Sequence, residues 1–164
     1  MDYVPALSRW IHFMSGVMWI GLLYYFNFVN VAAAAAAAKD GTGAGIGKHI
    51  MPRALLFFRW GAVATVFFAF VILGDKAADV LLFREKAYVP IGIGGWLGLI
   101  MLFNVWVLIW PNQKNILGMV PASDEEKNKA RRVAFLASRT NTMLSIPMLF
   151  FMSSSALFHA AMFA

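Results

Sequence analysis

Four apolar stretches dominate the chain, each close to the roughly 20 helical residues that cross a hydrocarbon core. They run from about Ala6 to Val31, Ala54 to Leu73, Val89 to Trp110 and Met143 to Phe163. Backbone placed in lipid must satisfy its own amides and carbonyls, so each stretch is predicted to be a helix. Composition points the same way. The residues are 61% hydrophobic and 13% charged, whereas a soluble domain is about half apolar and about a quarter charged. A soluble fold of 164 residues has no interior large enough for that much aliphatic and aromatic surface. The expected architecture is all-α: an integral-membrane four-helix bundle forming a single domain over residues 1–164.

Orientation follows from the connecting loops. The first carries Lys39, Lys48 and Arg53 against Asp40, and the third carries Lys114, Lys127, Lys129, Arg131, Arg132 and Arg139 against Asp124, Glu125 and Glu126. The second is balanced, with Lys76, Arg84 and Lys86 beside Asp75, Asp79 and Glu85. Lysine and arginine mark cytoplasmic loops, so the first and third loops are expected inside and both termini on the periplasmic side of a bacterial inner membrane. The net charge of +6 is distributed over the ends of apolar runs rather than clustered on a soluble module, which argues against a nucleic-acid partner. Pro121-Ala122-Ser123 followed by Asp124-Glu125-Glu126 is a capping box with an acidic first turn. It predicts a short cytoplasmic helix at about 124–138 that continues into, or hinges onto, the fourth span. Trp110-Pro111-Asn112-Gln113-Lys114 is expected to end the third span, proline stopping the helix and lysine anchoring it.

Much chemistry is excluded. With no cysteine there is no disulfide, thiolate metal site, iron–sulfur cluster or covalently attached c-type haem. No nucleotide-binding glycine loop, zinc-type histidine pair or serine nucleophile elbow occurs. Ala32 to Ala38 is an unbroken alanine run leading to Gly41, Gly43, Gly45 and Gly47. It fits a helix extension followed by a flexible loop, and no chemistry is assigned to it.

The informative groups are polar ones inside the spans, where they are costly and default to function. His12 lies one to two turns inside the outer end of the first helix, and His159 about one turn from the outer end of the fourth. Chain direction alternates, so the two share a depth. His49 belongs to the first loop, roughly 30 Å away across the bilayer. Gly16 stands one turn below His12, and Gly94 and Gly98 form a small-xxx-small face on the third helix. Such glycines allow close helix packing, or leave room for a flat macrocycle whose axial nitrogens come from facing helices. Met148, Met152, Ser155 and His159 recur on one stripe of the fourth helix; methionine there is gap-filling core, a soft ligand or a pocket wall. Three readings follow: a b-type haem on His12 and His159, a structural polar pair, and a copper site or proton path. Asn27, Asn30 and Asn104 are expected to bond between helices, Arg53 and Arg59 to snorkel at the inner end of the second span, and most tryptophans and tyrosines to form an interfacial belt.

His12 to Phe28, Pro52-Arg53-Ala54-Leu55, Phe58-Arg59-Trp60-Gly61-Ala62, Asn104-Val105-Trp106, Trp110 to Lys114, Ala137 to Asn141 and Leu144 to Met152 together resemble the membrane domain of bacterial membrane-bound urate oxidases. More distantly, the histidine and Trp-x-Gly-Leu-Leu-Tyr of helix one are similar to the haem-binding four-helix protoporphyrinogen oxidases and the copper-resistance D-type proteins. The resemblance implies a related fold and a haem-like pocket at His12 and His159. Urate oxidases of this type carry a cytochrome c domain, which a cysteine-free chain is expected to lack, so electrons are expected to pass to another membrane subunit or a cytochrome. The alternative is a cofactor-free accessory subunit of a respiratory or photosynthetic complex. A self-sufficient oxidase ranks third.

Overall fold

The computed structural model describes residues 3–153, and all of its regular structure is helical. Three continuous helical stretches, Val4–Lys39, Ile46–Leu81 and Lys86–Ile116, are long and apolar enough to cross a membrane. The first joins α1 (Val4–Tyr24) through a π-helical turn, Tyr25–Asn30, to α2 (Val31–Lys39). The alanine run therefore is a helix extension, as alanine's propensity dictates, and it ends at Gly41 with φ 73°. The second contains α3 (Met51–Leu73), breaks its regular helix at Gly74 with φ 52°, and resumes as α4 (Ala77–Leu81).

The third stretch corrects the expectation for Pro111. α5 (Val89–Phe103) widens into a π-helical segment, Asn104–Ile109, and continues as α6 (Trp110–Ile116), with Pro111 in the first turn of α6. Proline lacks the N–H that an uninterrupted α-helix would use. The wider turn before it resets the hydrogen-bond register, so proline enters at a position where no donor is required. The chain turns instead at Gly118, φ 70°.

The expected short cytoplasmic helix and the start of the fourth span are one element, α7 (Asp124–Ser153), unbroken through Pro147. Its start is a reciprocal capping box: the Ser123 N–H donates to Glu126 Oε2 at 2.7 Å, and the Glu126 N–H to Ser123 Oγ at 3.2 Å. The first of these bonds, seconded by the hydroxyl, holds the Glu126 carboxyl below its ordinary pKa. The rest of the predicted fourth span, including Ser155 and His159, lies outside the described residues.

α1 packs chiefly on α3, and α7 on α5 and α6. Trp19, Leu23, Leu55, Phe58, Met101, Val105 and Ile109 fill the centre, each at most 3% exposed. Beside them runs a polar seam. Asn141, fully buried, accepts from Asn104 Nδ2 at 2.8 Å and donates to the Met101 carbonyl at 3.0 Å. Ser145 gives its single proton to the Thr142 carbonyl, so Tyr24 must be the donor in their 2.9 Å contact. Asn27 Nδ2 donates to Leu23 O and Ser138 Oγ. Asn27 and Asn104 thus bond between helices as expected, whereas Asn30 Oδ1 is buried without a partner. Trp19 and Tyr24 depart from the interfacial belt, one in the core and one in the seam. Outside, Phe13, Val17, Phe28, Phe67, Phe103, Met143 and Ile146 are all more than half exposed. Amides and hydroxyls within, large apolar side chains without, is the arrangement expected where the surrounding solvent is lipid.

Asn141→Leu is expected to destabilise the bundle by about 2 kcal/mol, because Asn104 and the Met101 carbonyl both lose a buried partner. Asn30→Leu, which removes an already unpaired acceptor, is expected to be near neutral. Unfolding of the detergent-solubilised variants followed by far-UV circular dichroism reads the difference.

Candidate functional site

His12 lies on α1 and faces α3. Its Nδ1 is 2.8 Å from the Thr65 backbone carbonyl. A carbonyl only accepts, so Nδ1 carries the proton and, in the neutral ring, Nε2 keeps the lone pair. This is the orientation that metal-ligating imidazoles usually adopt, with the distal N–H fixed by a backbone oxygen.

Two local features bring His12 there. Gly61 lies one turn before Thr65 on α3. A Cβ built on Gly61 would stand 3.4 Å from Ser15 O and 3.5 Å from Trp19 N, so glycine is what lets the two backbones approach. The Thr65 hydroxyl turns back to Gly61 O at 2.7 Å, leaving the Thr65 carbonyl as the group that meets the imidazole. Neither Gly61 nor Thr65 carried a signal in the sequence. Gly61 was one residue of a motif with no assigned contact, and a backbone acceptor has no residue-type signature.

A cavity of about 400 Å³ adjoins His12, walled by α1, α3, α5 and α7 and lined among others by Gly16, Trp19, Gly98, Met148 and Met152. The lining is almost wholly apolar. A Cβ on Gly16 would reach only to 3.7 Å from Thr65 Cγ2, an ordinary contact, so that glycine leaves room rather than permitting a helix crossing. Trp19 Nε1 is buried with no acceptor.

The glycine face of α5 is used differently from the open slot that was one of its two expected roles. Gly94 does not line the cavity; Met152 occupies its groove, with Cε 3.1 Å and Cγ 3.2 Å from where a Cβ would sit. Gly98 meets Met148 Sδ at 3.7 Å. The methionine stripe is therefore at once packing against these glycines and wall of the cavity. Gly92 has the strictest requirement, since a Cβ there would strike the Val80 carbonyl and the Phe83 ring.

Of the predicted site residues, the cavity gathers His12, Gly16, Gly98 and Met152; Gly94 stands behind Met152, and Ser155 and His159 lie outside the described residues. His49 sits in the π-helical turn Ile46–Ile50. It is 16 residues before Thr65 in sequence, about 24 Å by helical rise, and is separate from the cavity as expected. Among the described residues no group of three or more His, Cys, Asp or Glu side chains is placed to hold a metal ion. Arg9, one turn before His12 and absent from the sequence-based candidates, is an exposed cation at that end of α1.

Residues 49–163, from the turn before α3 onward, match the family model described as urate oxidase N-terminal. The matched stretch includes Thr65, the α5 glycines and the methionine stripe but not His12. No curated protein and no solved structure matches the chain. With most of its length matched, the chain belongs to the urate oxidase N-terminal family.

Proposed function

We propose that this protein is a multi-pass inner-membrane redox module, holding b-type haem in the cavity beside His12 and passing electrons to another membrane subunit or a cytochrome. One observation carries the reading: the His12 Nδ1–Thr65 O bond, which aims an imidazole with a free Nε2 at an apolar cavity between four helices. The donor set fits the group. The Thr65 carbonyl fixes the tautomer, Gly16 leaves space, and the aliphatic and methionine walls exclude water, which sets potential through dielectric. His159 is proposed as a second nitrogen that would hold the group, and Arg9 as a cation that would be available to its carboxylates. Haem, when bound, supplies a one-electron centre.

The membrane location rests on the three long apolar helices and the apolar exterior. Its orientation rests on charge. Gly43 and Gly47 from the first loop region, Leu117 from the third, and Arg131 and Arg132 border one cleft, so the two basic loops share an end of the bundle. We assign that end to the cytoplasm on its excess of lysine and arginine.

The test is the visible spectrum of the full chain purified in mild detergent, oxidised and after dithionite. A Soret band with a sharpened α-band on reduction is expected; their absence overturns the haem assignment. The filled groove at Gly94 favours one second reading, a cofactor-free accessory subunit of a respiratory or photosynthetic complex. That reading requires stable co-purification with the complex.

A further inference from the structure

At the basic end of the bundle the side chains leave the interior unfilled. A cleft of about 770 Å³ lies there with walls from all four helical stretches, a volume within the range of about 300–1,000 Å³ typical of small-molecule sites. Each π-helical segment opens onto it: Tyr25–Asn30 through Phe26 and Asn27, Ile46–Ile50 through Ile46 and Gly47, and Asn104–Ile109 through Ile109. Such turns are rare and are frequent at functional sites. None of these three segments reaches the cavity beside His12.

Small residues hold the cleft open. Ala34, from the alanine run, forms part of one wall, and a Cβ on Gly47 would meet nothing within 4 Å. Helical register gives the depth. The lining runs from Met51 to Phe58 on α3 and from Arg131 to Ser138 on α7, in each case about 10 Å by helical rise. The deep part is apolar, with Leu55, Phe58 and Ile109, and its polar groups Asn27 and Ser138 are already bonded to each other at 2.8 Å.

The mouth is cationic. Arg131 and Arg132 line it, Gln113 stands one turn in from Leu117, and no aspartate or glutamate is among the described residues around the cleft. Arg131 donates through Nη1 to Asn128 Oδ1 at 2.7 Å. Among the described residues, neither the Arg132 guanidinium nor the Gln113 carboxamide has a hydrogen bond or ion pair. Guanidinium forks above apolar walls select a planar oxyanion that carries a hydrocarbon tail. A small inorganic anion gains nothing from the walls. A position inside the bundle, with all four stretches around it, disfavours a phospholipid with a second chain to place.

We propose that this cleft binds a single-chain fatty carboxylate, its tail against Leu55, Phe58 and Ile109 and its head met by Arg131, Arg132 and Gln113. The site is independent of haem, whose cavity lies toward the other end of α1, so a haem-free spectrum leaves it standing.

The experiment measures the thermal midpoint of the full chain in neutral detergent and alkaline buffer by circular dichroism. Decanoate, decanol, acetate and phosphatidylglycerol are added in separate arms. Near-saturating decanoate is expected to raise the midpoint by about 5 °C, with no comparable rise from the uncharged alcohol, the tailless acid or the two-chain lipid. The double variant Arg131→Gln, Arg132→Gln, on an exposed face of α7, is expected to lose at least half of the rise. Ala34→Phe, which fills the cleft and leaves its mouth intact, is expected to lose all of it. Should Ala34→Phe fail to fold, Gly47→Leu fills the cleft from the loop side with the same expected loss. No rise with decanoate, or an equal rise in any of the other three arms, overturns the site. So does a rise kept above half in the arginine variant or in the filling variants that fold.

Discussion

His12→Ala is expected to lower the haem bound per purified chain by at least about tenfold, the scale on which even outer-shell changes alter metal affinity. His12 is the one imidazole among the described residues that borders the cavity, and nothing on the apolar walls replaces it. His12→Gln separates ligation from folding. Its amide N–H is able to reach the Thr65 carbonyl, so the α1–α3 contact survives, but it offers no basic ring nitrogen. Haem should fall in both variants while helicity is kept in His12→Gln. His49→Ala, in the turn at the other end of α3, should retain haem in full. Pyridine haemochromogen absorbance against protein concentration measures each ratio, and equal retention in all three variants removes His12 as a ligand.

The reach of the sequence differed from one feature to the next for physical reasons. Hydropathy located α1, α3 and α5 because lipid imposes its demand on every residue of a span, and the demand survives averaging. The Ser123–Glu126 box was legible because both partners lie within one turn. Asn27 and Asn104 were legible as polar groups needing partners, but their partners, Ser138 and Asn141, were not. Those depend on how far α7 is rotated, and the sequence shows only that several of its residues are polar. Pro111 misled because a proline is a helix stop only in an unbroken α-register, and the π-helical turn before it changes that register. Gly94 and Gly98 were conspicuous as a motif, yet flexible methionines face them. Gly61 was inconspicuous, and a backbone faces it. A glycine's importance lies in what is opposite, which the sequence of one helix does not contain.

That contrast yields the second large effect. Gly61→Leu is expected to destabilise the bundle by about 1–3 kcal/mol, the usual cost of overpacking, and to abolish haem retention with His12 untouched. A Cβ at Gly61 already sits 3.4 Å from Ser15 O, with Trp19 N at 3.5 Å and Trp19 Cα at 3.7 Å. The remaining carbons of leucine have no flexible side chain to displace, so α1 must move away from α3. Moving it lengthens the His12–Thr65 contact one turn further along, which frees the imidazole to rotate away from the cavity. Gly98→Ala is the control, since its new methyl meets only Met148 Sδ at 3.7 Å and methionine adapts at small cost. It should keep both stability and haem within error. Thermal midpoint and haem ratio measured on the same preparations separate the outcomes. Loss of both in Gly61→Leu with neither lost in Gly98→Ala ties the cavity to the close α1–α3 crossing. Full haem retention in Gly61→Leu would show that His12 reaches its ligand without Thr65, and the tautomer argument for the site would fail with it.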